Sequence, residues 1–395
     1  MMKTDVVVIG AGSTGLFVAL DLCLRGANVA IIDRQGLARG TTGRFHGLLH
    51  SGSRYAVSDK KAAQECAEES SILAHMAPHA IFDTGSYFLA LKGDDGAYVD
   101  RFRGALKESN IRNEEVAVSS LLQREPRISK DAYCAIAVPD LVVDPLRLLA
   151  GVAQMARQKG VSFHLHDSVV GVARSGKVRT ENGLEISGKV IVNSAGPWAG
   201  QVASLVGQKL DLMPTIGLML VYRPRLINVI LNRLRPPSDG DIILPFYDAN
   251  ILGTTAQVTE SIDSTMVEDE DLQDLVYEGS RMVPDLKARR FSRYYYSARP
   301  LPRGLNPREV SRDFEIVDEN PLVTVLGGKL TTCRLIAEKV ADLVSSKLGL
   351  RSPCLTKELK LEDVLLKTGP FSGTVAEEVY NLGANLITLE REISS

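Results

Sequence analysis

Asp5-Val6-Val7-Val8-Ile9 runs without a break into Gly10-Ala11-Gly12-Ser13-Thr14-Gly15. A β-branched run of this kind suits a parallel strand buried on both faces. Leu16–Arg25 then carries apolar residues at helical spacing, Gly26 stops it, and Asn28-Val29-Ala30-Ile31-Ile32 forms a second apolar run closing on Asp33. The spacing predicts strand, turn, helix, strand, with an acidic residue at the distance such units use, about 20 residues on. In this unit Gly10 allows the tight turn, Gly12 lets a pyrophosphate approach the backbone, and Gly15 lets the helix pack closely on the strand. The helix N-terminus offers free N–H groups and a positive dipole to phosphate, while Asp33 can accept from ribose hydroxyls. A chain that opens in this way is committed to an α/β sheet with its nucleotide site at the strand carboxyl ends.

The rest of the composition narrows the class. The chain has 395 residues, enough for two or three domains at about 150 residues each. Lys+Arg number 46 against 48 Asp+Glu, a net charge of −2, so no basic excess points to nucleic acid. The five cysteines, Cys23, Cys66, Cys134, Cys333 and Cys354, are scattered without a C-x-x-C pair, which argues against a disulfide framework or a cysteine-held metal. No stretch approaches the roughly 18 uninterrupted apolar residues of a membrane span, and the N-terminal apolar run lacks the form of a signal peptide. A cytoplasmic protein is expected, with membrane contact at most peripheral, at the inner face of the cell membrane.

Farther along, residues 39–58 pack glycines among His46, His50, Arg54 and Tyr55. Residues 60–77 and 98–109 read as helices, 81–92 as strands around Thr84-Gly85, and Asp144-Pro145 opens a helix through Gln158, with Asp144 as its cap. Residues 161–172 and 177–186 read as a strand and a hairpin turning at Glu181-Asn182-Gly183. Lys189–Asn193 is a further buried strand leading into Ser194-Ala195-Gly196, and Leu322–Leu326 another leading into Gly327-Gly328-Lys329. Three strand-to-glycine turns can therefore converge on one cofactor. Mixed strands fill about 210–300. Residues 225–235 carry the pattern of a basic amphipathic helix able to lie on a membrane surface, although an ordinary packed helix is the commoner outcome of such a pattern.

Several motifs are specific. They are GAGSTG at 10–15, TTGRFHGLLHSGSRYAVSD at 41–59, NSAGPWA at 193–199, NRLRPPSDGDIILP at 232–245, ILGTT at 251–255, YSARPL at 296–301, VSRDF at 310–314 and GGKLTTCRLIAEKVAD at 327–342. Over about residues 3–350 the chain resembles FAD-dependent glycerol-3-phosphate dehydrogenases, most of all the catalytic A subunits of the anaerobic enzymes, within the glycine/D-amino-acid-oxidase-like flavoproteins. The resemblance implies a Rossmann-like FAD-binding domain (1–80, 140–210 and 310–350), a mixed-sheet α+β substrate domain of the D-amino-acid-oxidase type (81–139 and 211–309), and a tail at 351–395. With only Cys354 in residues 352–395, the cysteine-rich iron–sulfur domain usual in that subunit is not expected.

The resemblance also implies site residues. Gly10, Gly12, Ser13, Thr14, Gly15, Asp33 and Arg34 would hold the ADP half of FAD, and Thr41, Thr42 and Gly43 would follow the pyrophosphate. His50, Ala195, Gly196, Trp198, Gly328, Lys329, Leu330 and Thr331 would surround the ribityl chain and flavin ring. Asp33 stands where a glutamate is more usual, Cys333 where a tyrosine is common, and Asp241 where respiratory relatives carry a histidine. The implied reaction oxidises sn-glycerol 3-phosphate to dihydroxyacetone phosphate, with electrons passing to a quinone or a partner redox protein.

Oxidising a secondary alcohol requires a hydride acceptor and a base. His50, with an unperturbed pKa near 6.5, suits that duty at neutral pH. Its alternative is a histidine merely satisfied in the core. Lys329 at a strand end would supply a cation near flavin or alkoxide, with Arg54 completing the catalytic set. Arg54, Tyr55, Arg299 and Arg312 have the chemistry to take a phosphorylated substrate. His46 and His50 share the i,i+4 spacing of a metal pair, but without an acidic or cysteine ligand beside them no metal is expected. Lys287–Tyr296 interleaves cations and aromatics and is read as a strand beside the substrate pocket rather than an RNA-stacking surface. A same-fold enzyme acting on an amino acid or 2-hydroxy acid, or a non-catalytic flavin subunit of a larger complex, are the alternatives.

Overall fold

Strand Val6–Ile9 is fully buried and lies at the centre of the molecule's nucleotide-side sheet. The structure is a computed structural model, describing residues 1–259, 262, 266–302, 314–364, 386 and 389–394, with the side chains of 300–302 left aside. That sheet has the order Ser162–Leu165, Val29–Asp33, Val6–Ile9, Val190–Asn193, Leu322–Gly327, Phe314–Glu319. Its first five strands are parallel and the last is antiparallel. Because side chains alternate along a strand, Val6 and Val8 enter one apolar core and Val7 and Ile9 another. The first core is built with helices Ser13–Leu24, Pro145–Gln158 and Cys333–Leu348. The second is closed by a four-stranded layer that includes the 177–187 hairpin, its turn using Gly183 at φ +84°.

A second, larger sheet runs among the described residues from Gln257–Val258 through Leu212–Tyr222, Ala249–Gly253, Ile242–Phe246, Ile230–Arg233, Ser86–Leu91 and Ala132–Ala137 to Glu114–Glu115. Arg293–Pro302 pairs with Leu212–Tyr222 over ten residues, from Leu212 opposite Pro302 to Val221 opposite Arg293. This hairpin-like pairing carries Ser297 and Arg299 to the boundary between the two sheets.

One expectation is overturned here. Residues 225–235 do not form a surface helix. Ile230–Arg233 is an inner strand, paired in parallel with Ser86–Leu91 and antiparallel with Ile242–Phe246, and Leu226, Ile227, Leu231 and Leu234 are buried. Two of the three cations that suggested a membrane face are drawn inward, Arg225 alone staying exposed: Arg233 forms two 2.7 Å bonds to Asp94, and Arg235 reaches Asp241 at 2.9 Å. His46 and His50 likewise sit around the short strand Leu48–Leu49, not on a helix. Among the described residues no helix is long and apolar enough to cross a membrane.

Candidate active site

The glycine turn owes its shape to contacts that leave no room for side chains. A Cβ on Gly15 would lie 1.8 Å from the Gly10 carbonyl oxygen, so the first helix can reach the strand only through glycine. Gly10 itself sits at φ +110°, with Ser194 closing behind it. Asp33 ties this turn to the next: one carboxylate oxygen accepts the Ala11 N–H at 2.8 Å, the other the Gln35 and Gly36 N–H groups at 2.8 and 2.9 Å. Thr42 Oγ1 accepts the Ser13 N–H at 3.2 Å, bringing the 41–44 turn across the helix start.

These turns border a cavity of about 740 Å³ whose wall draws on both sheets. Gly10, Gly12, Ser13, Thr14, Asp33, Arg34, Thr41 and Thr42 line it, as do Ala195, Gly196, Trp198, Gly328, Leu330 and Thr331. The Arg34 guanidinium lies 4.2 Å over the Trp198 ring, an arrangement that fixes both side chains. Gly15 and Gly43 are not on the wall. Their work is packing, since a Cβ on Gly43 would meet the Ala38 carbonyl at 2.4 Å.

A second group on the same wall comprises His50, Tyr55, Lys329 and Arg299. The His50 and Tyr55 rings stand 5.4 Å apart, and Lys329 Nζ sits 4.1 Å over the Tyr55 ring. Lys329 pairs with no carboxylate among the described residues; its ammonium donates to Cys66 Sγ at 3.6 Å. Burial pushes the Cys66 thiol up to about 11 against the pull of that ammonium, so it stays protonated beside it. The Tyr55 hydroxyl is buried and has no hydrogen-bond partner among the described residues. Arg299 is oriented through Nη2, which donates to the Thr255 carbonyl at 2.6 Å and contacts Thr254 Oγ1 at 3.4 Å. The backbone N–H of His50 donates to Thr331 Oγ1 at 3.2 Å, joining the histidine loop to the Gly-Lys-Leu-Thr turn.

Arg54 differs from expectation. It does not line the cavity; its guanidinium points away to buried Asp241 at 3.2 Å, a carboxylate also held by Arg235. A buried carboxylate needs such cations around it. Arg312 lies outside the described residues. Sequence reasoning missed Met219, Thr254 and Ser297 on the wall, and Asp140 beneath it. Asp140 is buried and accepts from the Ser51 N–H at 2.7 Å and the Ser51 hydroxyl at 2.6 Å, right beside His50. Thr254 lay within the ILGTT motif and was findable; nothing in the sequence marks Asp140.

The residues fit FAD. Glycine backbone at Gly10 and Gly12 opens toward the cavity at a helix N-terminus, and the volume lies in the range of about 300–1,000 Å³ usual for cofactor sites. A sequence profile for FAD dependent oxidoreductases of the DAO type matches residues 5–343. The chain belongs to the FAD-dependent oxidoreductase family. Its curated relatives in this flavoprotein family include the A1 subunit of the anaerobic glycerol-3-phosphate dehydrogenase of Haloferax volcanii, 35% identical over 90% of this chain and 65% of the relative. The corresponding anaerobic A subunit of Escherichia coli K12 is also 35% identical, over 91% of this chain and 70% of the relative. The chain thus spans about two thirds of the length of these relatives. The glycerol-3-phosphate dehydrogenase of Bacillus halodurans, solved in complex with FAD, superposes with a TM-score of 0.72 at 22% identity, over 96% of this chain and 70% of that one.

Proposed function

We propose that this flavoprotein oxidises sn-glycerol 3-phosphate to dihydroxyacetone phosphate. The observation that carries the reading is the convergence of His50, Tyr55, Lys329 and Arg299 on one cavity wall beside the cofactor turns. The names of its anaerobic dehydrogenase relatives support the same substrate. FAD, when bound, supplies a hydride acceptor at its N5.

The chain's own residues divide the remaining work. Arg299, oriented by Thr254 and Thr255, takes the substrate phosphate through charge-assisted hydrogen bonds. That binding energy, gained far from the reacting carbon, aligns the carbon for transfer. His50 accepts the hydroxyl proton at a ring nitrogen, and Lys329 offsets the negative charge that grows on the substrate oxygen. The Tyr55 hydroxyl donates to the same substrate. Arg54 acts through Tyr55 and the loop they share, as a positioning residue and not a ligand. Within this reading the 1–80, 140–210 and 310–350 segments serve the cofactor, and 81–139 and 211–309 serve the substrate. Electrons leave through a partner subunit to a quinone pool at the inner membrane face.

Anaerobic mixing of the holo-protein with glycerol 3-phosphate, while the flavin absorbance band is followed, tests the proposal. Rapid bleaching by glycerol 3-phosphate and not by sarcosine or 2-hydroxyglutarate is expected. Bleaching by either of the latter alone would transfer Arg299 to a carboxylate substrate, and no bleaching by any would point to a non-catalytic flavin subunit.

A further inference from the structure

The turn that follows Asp33 is backed by a stretch of chain outside the matched family profile, which ends at residue 343. Leu386, Leu389 and Ile393 are buried in the same apolar core as the first helix, which sets a short helix at residues 389–394 behind residues 34–39. Glu390, from this stretch, is only 2% exposed. Its Oε1 accepts the Leu37 N–H at 2.8 Å, while Oε2 lies 3.5 Å from Arg39 and 3.4 Å from His166. The approach is close: a Cβ on Gly36, whose φ is +131°, would come within 2.5 Å of Glu390 Oε1. On the other side of the same turn, Arg34, Gln35 and Arg39 line the cavity.

A carboxylate withdrawn from water costs free energy unless it is hydrogen-bonded and paired. In Glu390 the turn supplies these compensations: Oε1 takes the Leu37 N–H, and Oε2, without a hydrogen-bond partner among the described residues, has the Arg39 guanidinium beside it. Asp33 grips the same turn from within, through the Gln35 and Gly36 N–H groups. Two carboxylates from opposite ends of the sequence therefore clamp a six-residue turn, three of whose residues, Arg34, Gln35 and Arg39, line the cavity.

We propose that Glu390 is a positioning residue for FAD, holding the 34–39 turn in the shape that receives the adenosine half. A loop already fixed loses less conformational freedom when ligand binds, so the clamp raises affinity without touching the ligand. The inference needs only the cofactor and stands whatever the substrate proves to be.

Titration of the apo-protein with FAD and, separately, with ADP tests it by calorimetry. In Glu390→Ala both dissociation constants should rise about tenfold, a loss of about 1.4 kcal/mol. Glu390→Gln keeps an acceptor for the Leu37 N–H but not the charge beside Arg39, and its values should fall between. Ile393→Val loosens the same helix without altering the carboxylate. It should lower the apo-protein's Tm while leaving both constants within about twofold of wild type. Constants for Glu390→Ala unchanged within that margin would overturn the proposal, as would weakened FAD binding with ADP unaffected. Equal weakening in Ile393→Val and Glu390→Ala would also overturn it, because the effect would then belong to the helix. If Glu390→Ala does not fold, Glu390→Gln decides: a rise of about threefold in both constants supports the clamp, and no rise rejects it.

Discussion

Arg299 and Arg54 carry the same charge and sit in motifs of similar specificity, yet their surroundings give them different work. Arg299 faces the cavity, with its guanidinium oriented by Thr254 Oγ1 and the Thr255 carbonyl toward the space a substrate would fill. Arg54 faces a buried carboxylate and is consumed by it. Arg299→Ala should lower kcat/KM for glycerol 3-phosphate by about 30- to 150-fold, from about 2–3 kcal/mol for hydrogen bonds to a charged group. FAD content should not change, and the weak turnover of plain glycerol should fall far less. Equal losses on both alcohols would remove the phosphate assignment. Asp140 offers a second test, by pH. Burial raises its carboxyl above the ordinary 3.8, against hydrogen bonds from Ser51 and Ser86. The native state therefore keeps its proton to higher pH than the unfolded state does. Stability contributed by this group is full below 3.8 and is lost as pH rises through the native value. The Tm of wild type minus that of Asp140→Asn should fall as pH rises across that window. A difference that stays flat, or grows with pH, would mean the carboxyl is not destabilised by burial.

Elements whose local chemistry agrees with their surroundings were legible in the sequence. The opening strand, helix and strand stand where the glycine spacing put them, and helix Pro145–Gln158 begins at its expected cap, Asp144 accepting the Leu146 and Arg147 N–H groups. Removing that cap in Asp144→Ala also deprives Tyr247 of its 2.6 Å hydrogen bond, so a cost of about 2–4 kcal/mol is expected in chemical denaturation. FAD affinity should be unaffected, since residues 145–158 form no part of the cavity wall; a parallel loss of FAD would contradict this separation. Residues 225–235 were misread because an apolar run flanked by arginines has the same appearance on a membrane helix as on a strand buried between neighbours. What decides between them lies outside the run: Asp94 pairs Arg233 across 139 residues of sequence, and Asp241, just past the run, pairs Arg235. The site shows the same division. Turn glycines, Lys329 and Arg299 carry their own motifs, whereas Asp140 and Glu390 act through contacts across 89 and 353 residues of sequence. No local pattern encodes such contacts.

At the scale of the whole molecule, the cavity wall is the seam between the two large sheets. Gly10, Ala195 and Gly328 follow strands of the parallel sheet and Asp33 ends one, while Gly217, Met219, Ser297 and Arg299 belong to strands of the larger mixed sheet. A ligand that contacts both restrains each sheet relative to the other, and because it binds only the folded chain it stabilises by mass action. At a hundredfold excess over its dissociation constant this amounts to about 2.7 kcal/mol, or about 3 °C for a chain of this size. The expected calorimetric behaviour follows from the seam. Apo-protein should unfold in two transitions, one for each sheet and its helices, and FAD should raise both and draw them together. If the ADP half is held by the turns after Ile9 and Asp33, ADP alone should raise only the transition of the parallel sheet. If FAD moved one transition and left the other fixed at every concentration, the cofactor would be held by one sheet alone. The larger sheet would then close over the substrate without helping to retain the flavin.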